Sequence, residues 1–109
     1  MPGPYKIPDV SRVKYAEPLG PRVELFGHLK LVQADTTVGY PDFYAAITLR
    51  DTPGKVIGVL TSEQRLQSLL QTAFITGNLI SFNAQEFTSN SNTETDLYRL
   101  NSVTLYSDK

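Results

Sequence analysis

The sequence predicts a mainly β domain with a single helix, in the order β-β-β-α-β-β. Three observations carry that expectation: two apolar stretches after residue 22 whose successive residues divide between two faces as in a strand, a Pro-Gly turn between the second and third apolar runs, and one segment whose apolar residues recur at helical spacing. At 109 residues the chain makes one domain with a single core. Hydrophobic residues are 40% and charged residues 19%, so the composition is globular and lightly charged.

Residues 1–22 read as an arm and residues 23–109 as the folded domain. Five of the seven prolines (Pro2, Pro4, Pro8, Pro18 and Pro21) fall in the arm and forbid a helix there. Two readings stand side by side. One is a loose terminus; the other is an arm laid on a neighbouring subunit through Tyr5, Ile7, Val10, Val13 and Tyr15.

The first strand is "VELFGHLKLVQ", with Leu25, Gly27, Leu29 and Leu31 on one side and Phe26, His28, Lys30 and Val32 on the other. "ADTTVGYP" is a loop broken by Gly39 and Pro41. "DFYAAITLR" follows, with Phe43, Ala45, Ile47 and Leu49 inward and Tyr44, Ala46, Thr48 and Arg50 outward. In "DTPG", Pro53 and Gly54 suit the central positions of a type II turn, so a hairpin leads into "KVIGVL".

"TSEQRLQSLLQTAFITG", residues 61–77, is the helix. Thr61 and Gln64 fit a capping box, and Gly77 suits a left-handed exit. Leu66, Leu69, Leu70, Ala73 and Phe74 form the apolar stripe. "NLISFNAQEF" and "LYRLNSVTLY" complete the strands around the polar loop "TSNSNTETD". In the last strand Tyr98 and Leu100 fall out of phase with Val103 and Leu105, which a β-bulge near Asn101-Ser102 would restore. This order is that of the OB-fold, a five-stranded Greek-key barrel with its helix between strands three and four; an SH3-like barrel or split sandwich is the alternative.

The helix has no charge after Arg65. Outside its core stripe it presents Gln64, Gln67, Ser68, Gln71, Thr72 and Ile75. Interface centres lose charge while keeping neutral hydrogen-bonding groups, so these six residues are the candidate oligomer interface. The plainer reading is a surface helix rich in Gln, a good helix former that needs no partner.

Three stretches carry a resemblance: "LVQADTTVGYPDFYAAITL", "LQSLLQTAFITGNLISF" and "LNSVTLY". Over roughly residues 23–106 the chain resembles the B subunits of AB5 toxins, in particular the subtilase-cytotoxin and pertussis-like branch. That resemblance implies a pentameric ring of OB-folds whose helices line a central pore, with glycans bound on an outer or lower face. Two departures limit it. The family closes a disulfide where this chain has no Cys, and Arg22 falls where the sialic-acid-binding branch has a serine, so sialic acid recognition does not carry over.

For ligand binding, OB-folds use the outer face of strands two and three with the loops between strands one and two and four and five. The candidates there are Asp35, Tyr40, Asp42, Tyr44 and Arg50, the tyrosines to stack on a ring and the charged groups to meet hydroxyls. Catalysis is not expected. His28 has no placed partner and no nucleophile-elbow pattern, and Asp35 and Asp42 read as loop aspartates bonded to their own backbone.

No cofactor is expected, because no Gly-rich phosphate loop is present. A zinc site is rejected because it needs three or four side-chain ligands and the chain has no Cys, one His and no His/Asp/Glu cluster at ligand spacing. Net charge of -1 and scattered basic residues argue against nucleic acid, the standing alternative for this fold, though Lys6, Arg12, Lys14 and Arg22 lie in the arm. A purely structural oligomer is a third reading. The N-terminal residues carry no apolar leader and no run is apolar enough to span a bilayer, which implies a cytoplasmic protein or a mature chain whose leader was removed.

Overall fold

In the computed structural model, residues 21–34, 43–86 and 97–109 are described; residues 1–20 of the Pro-rich arm and the segments 35–42 and 87–96 lie outside the described residues. The elements are β1 (Arg22–Ala34), β2 (Phe43–Leu49), β3 (Val56–Thr61), α1 (Gln64–Thr76), β4 (Ile80–Glu86) and β5 (Leu97–Leu105). The strands close into a barrel in the order β1-β2-β3-β5-β4, with β4 back on β1. Every pairing is antiparallel except β3 with β5. This is the expected OB-fold.

The 13-residue β1 serves two neighbours, pairing with β4 over Arg22–Gly27 and with β2 over Gly27–Ala34. Gly27 is the shared point. A Cβ there would sit 2.4 Å from the Thr48 carbonyl oxygen and 2.7 Å from Ile47 Cγ2, so only a residue without a side chain lets the backbones approach. Beyond it the register slips between Leu29 and Leu31, so Lys30 is the extra residue of a bulge. That bulge corrects one sequence expectation: Leu31 does not share the face of Leu25 and Leu29. Val32 joins them in the barrel interior, while Leu31 packs on the outside. One extra residue exchanges the faces of everything after it.

The β2–β3 hairpin forms as its turn residues dictate. Gly54 has φ 86°, and the Lys55 N–H donates to the Thr52 carbonyl at 3.0 Å, the signature of a type II turn around Pro53-Gly54. The bulge expected in β5 is also present. Asn83 faces Ser102 but Ala84 faces Leu100, so Asn101 is the extra residue, and Tyr98, Leu100, Val103 and Leu105 all reach the same core.

Helix α1 is shorter at its start than the capping box implied. Its N-cap is Glu63, not Thr61; the Glu63 carboxylate accepts from the Arg65 N–H, and Thr61 ends β3 with its hydroxyl accepting from the Glu63 N–H at 3.0 Å. Strand pairing of Thr61 with Phe43 claims the backbone that a cap there would need. The exit is as expected, with Gly77 at φ 73° and its N–H on the Ala73 carbonyl.

The main core fills the barrel with Phe43, Ala45, Ile47, Ile57, Val59, Phe82 and their neighbours, closed at one end by Leu70 and Ala73 of α1. A second cluster lies on the outer side of β2 and β3, where Tyr44, Ala46, Leu60 and Leu97 are buried with Leu31 and Val56 packed against them. Two-sided burial explains why β2 is apolar at nearly every position.

Candidate functional site

On α1, a turn of 3.6 residues puts Gln64, Ser68, Gln71, Thr72 and Ile75 on the side facing away from Leu70 and Ala73. All five are exposed, and Ile75 is 82% exposed. Gln67 departs from the expected set: it is half-buried, and its Nε2 donates to the Thr61 carbonyl at 3.3 Å, so it ties the helix to the end of β3. Thr72 spends its hydroxyl on the Ser68 carbonyl at 3.0 Å, leaving a smooth neutral surface.

The apolar stripe is wider than the barrel can cover. Leu70 and Ala73 are buried and Leu66 and Leu69 are half-buried, while Phe74, expected in the core, is 43% exposed. A helix lying across the mouth of a narrow barrel seats only its central residues, and those on the flanks stay partly bare. The outcome is an uncharged strip with Phe74 and Ile75 uncovered at its C-terminal half.

The ligand candidates do not gather at one place. Asp35, Tyr40 and Asp42 lie outside the described residues. Tyr44 is only 3% exposed, and its ring lies over Gly58, where a Cβ would meet Cε1 and the hydroxyl oxygen at 2.7 Å. The expectation of a stacking platform at Tyr44 does not fit this burial: the ring packs in the outer cluster, because Gly58, its diagonal neighbour on β3, leaves a slot for it.

Arg50 is placed differently, at the turn after β2. Its N–H donates to the Phe26 carbonyl at 2.8 Å, and its guanidinium lies 4.3 Å from the Phe26 ring centroid. Arg50 Nε donates to Asp51 Oδ1 at 3.0 Å; that hydrogen bond raises the guanidinium's affinity for its proton above the ordinary value. On the same side, the Tyr106 ring stacks on Phe26 at 6.4 Å between centroids and 29° between planes. Tyr106 shares a hydrogen bond with the Ser81 hydroxyl at 3.3 Å and keeps 38% of its surface exposed.

Arg50, Asp51, Phe26 and Tyr106 thus form one surface patch with an aromatic ring, a cation and a carboxylate. Phe26, Asp51 and Tyr106 were not legible as a set, since they come from β1, a turn and the residue after β5 and meet only through barrel closure. His28 pairs with Thr48 across β1 and β2. Among the described residues no group of His, Cys, Asp and Glu is placed to hold a metal, and no helix is long and apolar enough to cross a membrane.

No protein-family model matches the sequence, and no curated protein is significantly similar to it.

Proposed function

We propose that the protein is a non-enzymatic binding protein that self-associates through the outward face of α1 and takes a carbohydrate or a partner protein on its outer surface. The assembly is a closed ring, a pentamer on the pattern of the AB5 B subunits that the sequence resembles. One observation carries the reading: the outward face of α1 has no charge beyond its first turn and leaves Ile75 82% exposed near its C-terminal end. A side chain so placed on a face of Gln, Ser and Thr has the composition of an interface centre. One face pairing with its own copy would close only a two-fold dimer, so the ring has each helix meet a different neighbour on either flank, a head-to-tail contact that closes after five copies.

The Arg50–Phe26–Tyr106 patch supports the binding half of the reading. Tyr106 offers an apolar ring with a polar tip, and Arg50 and Asp51 offer donors and acceptors beside it, the combination a sugar ring requires.

Light scattering coupled to size exclusion tests the assembly, and a glycan array probed with the assembled protein tests the ligand. The expected result is a discrete oligomer whose array signal is lost on Tyr106→Ala. A chain that is monomeric throughout the micromolar range overturns the assembly, and an array signal unchanged in that variant overturns the patch.

A further inference from the structure

The outer side of β2 and β3 is buried more deeply than the sheet alone can bury it. Pairing puts Tyr44 and Ala46 of β2, Gly58 and Leu60 of β3, Leu97 of β5 and, past the bulge, Leu31 of β1 on one outward face. Side chains standing on a single sheet shield one another's flanks and leave their tips to water. Glu24, Ser102 and Thr104, on the outer face of β1 and β5, obey this and are exposed. The β2–β3 face does not. A ring laid over Gly58 has a second side, yet Tyr44 is only 3% exposed, and Leu60 beside it is 1% exposed.

An apolar sheet face closed to this degree has a further layer over it. The described elements do not supply that layer. Helix α1 packs against β1 and β5, sends Leu70 and Ala73 into the barrel, and adds no residue to the outer cluster. Residues 106–109 are tied to the C-terminal end of the helix through Leu79 and Thr76. The cover therefore comes from residues 1–20, 35–42 or 87–96.

Composition and reach favour the first. The segments 35–42 and 87–96 offer Val38, Tyr40 and Phe87, whereas the arm offers Tyr5, Ile7, Val10, Val13, Tyr15 and Leu19. Pro21 and Arg22 are exposed, so the chain leaves β1 on the outside of the barrel. Arg22 pairs with Gln85, Gln85 with Arg99 and Arg99 with Leu60, so the root of the arm lies about 14 Å from Leu60 at ~4.8 Å per strand spacing. Five extended residues at ~3.3 Å each cross that distance, which leaves residues 1–16 for the face. The prolines restrict the arm before it docks, so laying it down costs less chain entropy.

We propose that the Pro-rich arm of each chain folds back over the outer face of its own β2 and β3 and packs its apolar side chains on Leu31, Tyr44, Leu60 and Leu97. The arm then occupies the face that OB-folds use for ligands, leaving the Tyr106 side of the barrel for recognition. The contact is made within one chain and stands whether or not the protein forms a ring.

The chain has no Cys, so Ser11→Cys carries a single spin label in the arm. In NMR spectra of the isotope-labelled whole chain, the expected result is loss of the Ala46, Gly58 and Leu60 amide signals, restored when the spin label is reduced. Signals that stay intact overturn the proposal and assign the cover to 35–42 or 87–96. Spin-labelled chain without isotope, refolded together with isotope-labelled parent, separates the chain's own arm from a neighbour's: the same signals are expected to survive, and their loss places the arm on another copy and overturns the proposal. Trypsin on the parent chain gives a second readout. Cleavage after Arg12 and Lys14 is expected to be at least tenfold slower than in a free peptide of residues 1–22, and equal rates overturn the proposal.

Discussion

Replacing Ile75 by Glu separates a buried outward face of α1 from a hydrated one, because the two cases differ by several kcal/mol. In the isolated chain Ile75 is 82% exposed, so the substitution changes folding stability by no more than about 0.5 kcal/mol, as for surface positions generally. Between two copies the same side chain is removed from water. Losing that burial alone takes away about 1.5–3 kcal/mol per contact. A carboxylate buried there adds a desolvation cost of several kcal/mol more, offset in part by the Lys109 ammonium, whose Nζ donates to the Thr76 carbonyl at 2.7 Å.

Together these exceed about 4 kcal/mol, which at ~1.4 kcal/mol per tenfold is on the order of a thousandfold in each interface constant. Sedimentation velocity on parent and I75E chains, with circular dichroism to confirm an intact fold, reads this directly. The expected outcome is a large species for the parent and a folded monomer for the variant. A parent chain that sediments as a monomer, or an I75E chain that keeps the oligomer, refutes the reasoning.

Three further outcomes follow from the geometry. Gly27→Ala places a Cβ 2.4 Å from a backbone oxygen that cannot yield without opening the β1–β2 pair, and is expected to cost about 2–3 kcal/mol in urea denaturation; a loss under 0.5 kcal/mol would show that β1 tolerates the shift. Tyr44→Ala leaves a void over Gly58 in the outer cluster and is expected to cost about 3–5 kcal/mol while leaving any glycan signal in place, whereas a ligand-stacking Tyr would show the reverse.

The third concerns pH. Hydrogen bonds from Arg65 hold the Glu63 carboxyl below its ordinary 4.5, so its capping contribution is complete above that value and is lost as pH falls through the lower folded pKa. In far-UV circular dichroism Glu63→Gln is expected to flatten the acid limb of helix loss; an unchanged limb would remove Glu63 as the cap that matters.

Much of the barrel was legible because its signals are local. The period-two alternation of β2, the Pro53-Gly54 turn, Gly77 at the helix exit and the phase slip in β5 each depend on residues close together in the chain, and each appears where expected. The second slip, at Lys30, was not legible. Its flanks, Leu29, Leu31 and Val32, are all apolar, so no polar residue falling out of phase marks the change of face. The helix start was misplaced for a related reason. Thr61 and Gln64 have the spacing of a capping box, but the backbone of Thr61 belongs to the sheet.

Residue order by itself determined the element order and the neutral outward face of the one helix, since these follow from periodicity and side-chain type; closure of the five strands into a barrel, rather than an SH3-like or split arrangement, was decided by the tertiary structure. Tertiary structure alone decided that Tyr44 is packing rather than platform, that Arg50, Phe26 and Tyr106 form one patch, and that the outer side of β2 and β3 is buried. The physical reason is the same in each case. Which groups meet across a closed barrel depends on register and shear between strands distant in the chain, and a single bulged residue resets both.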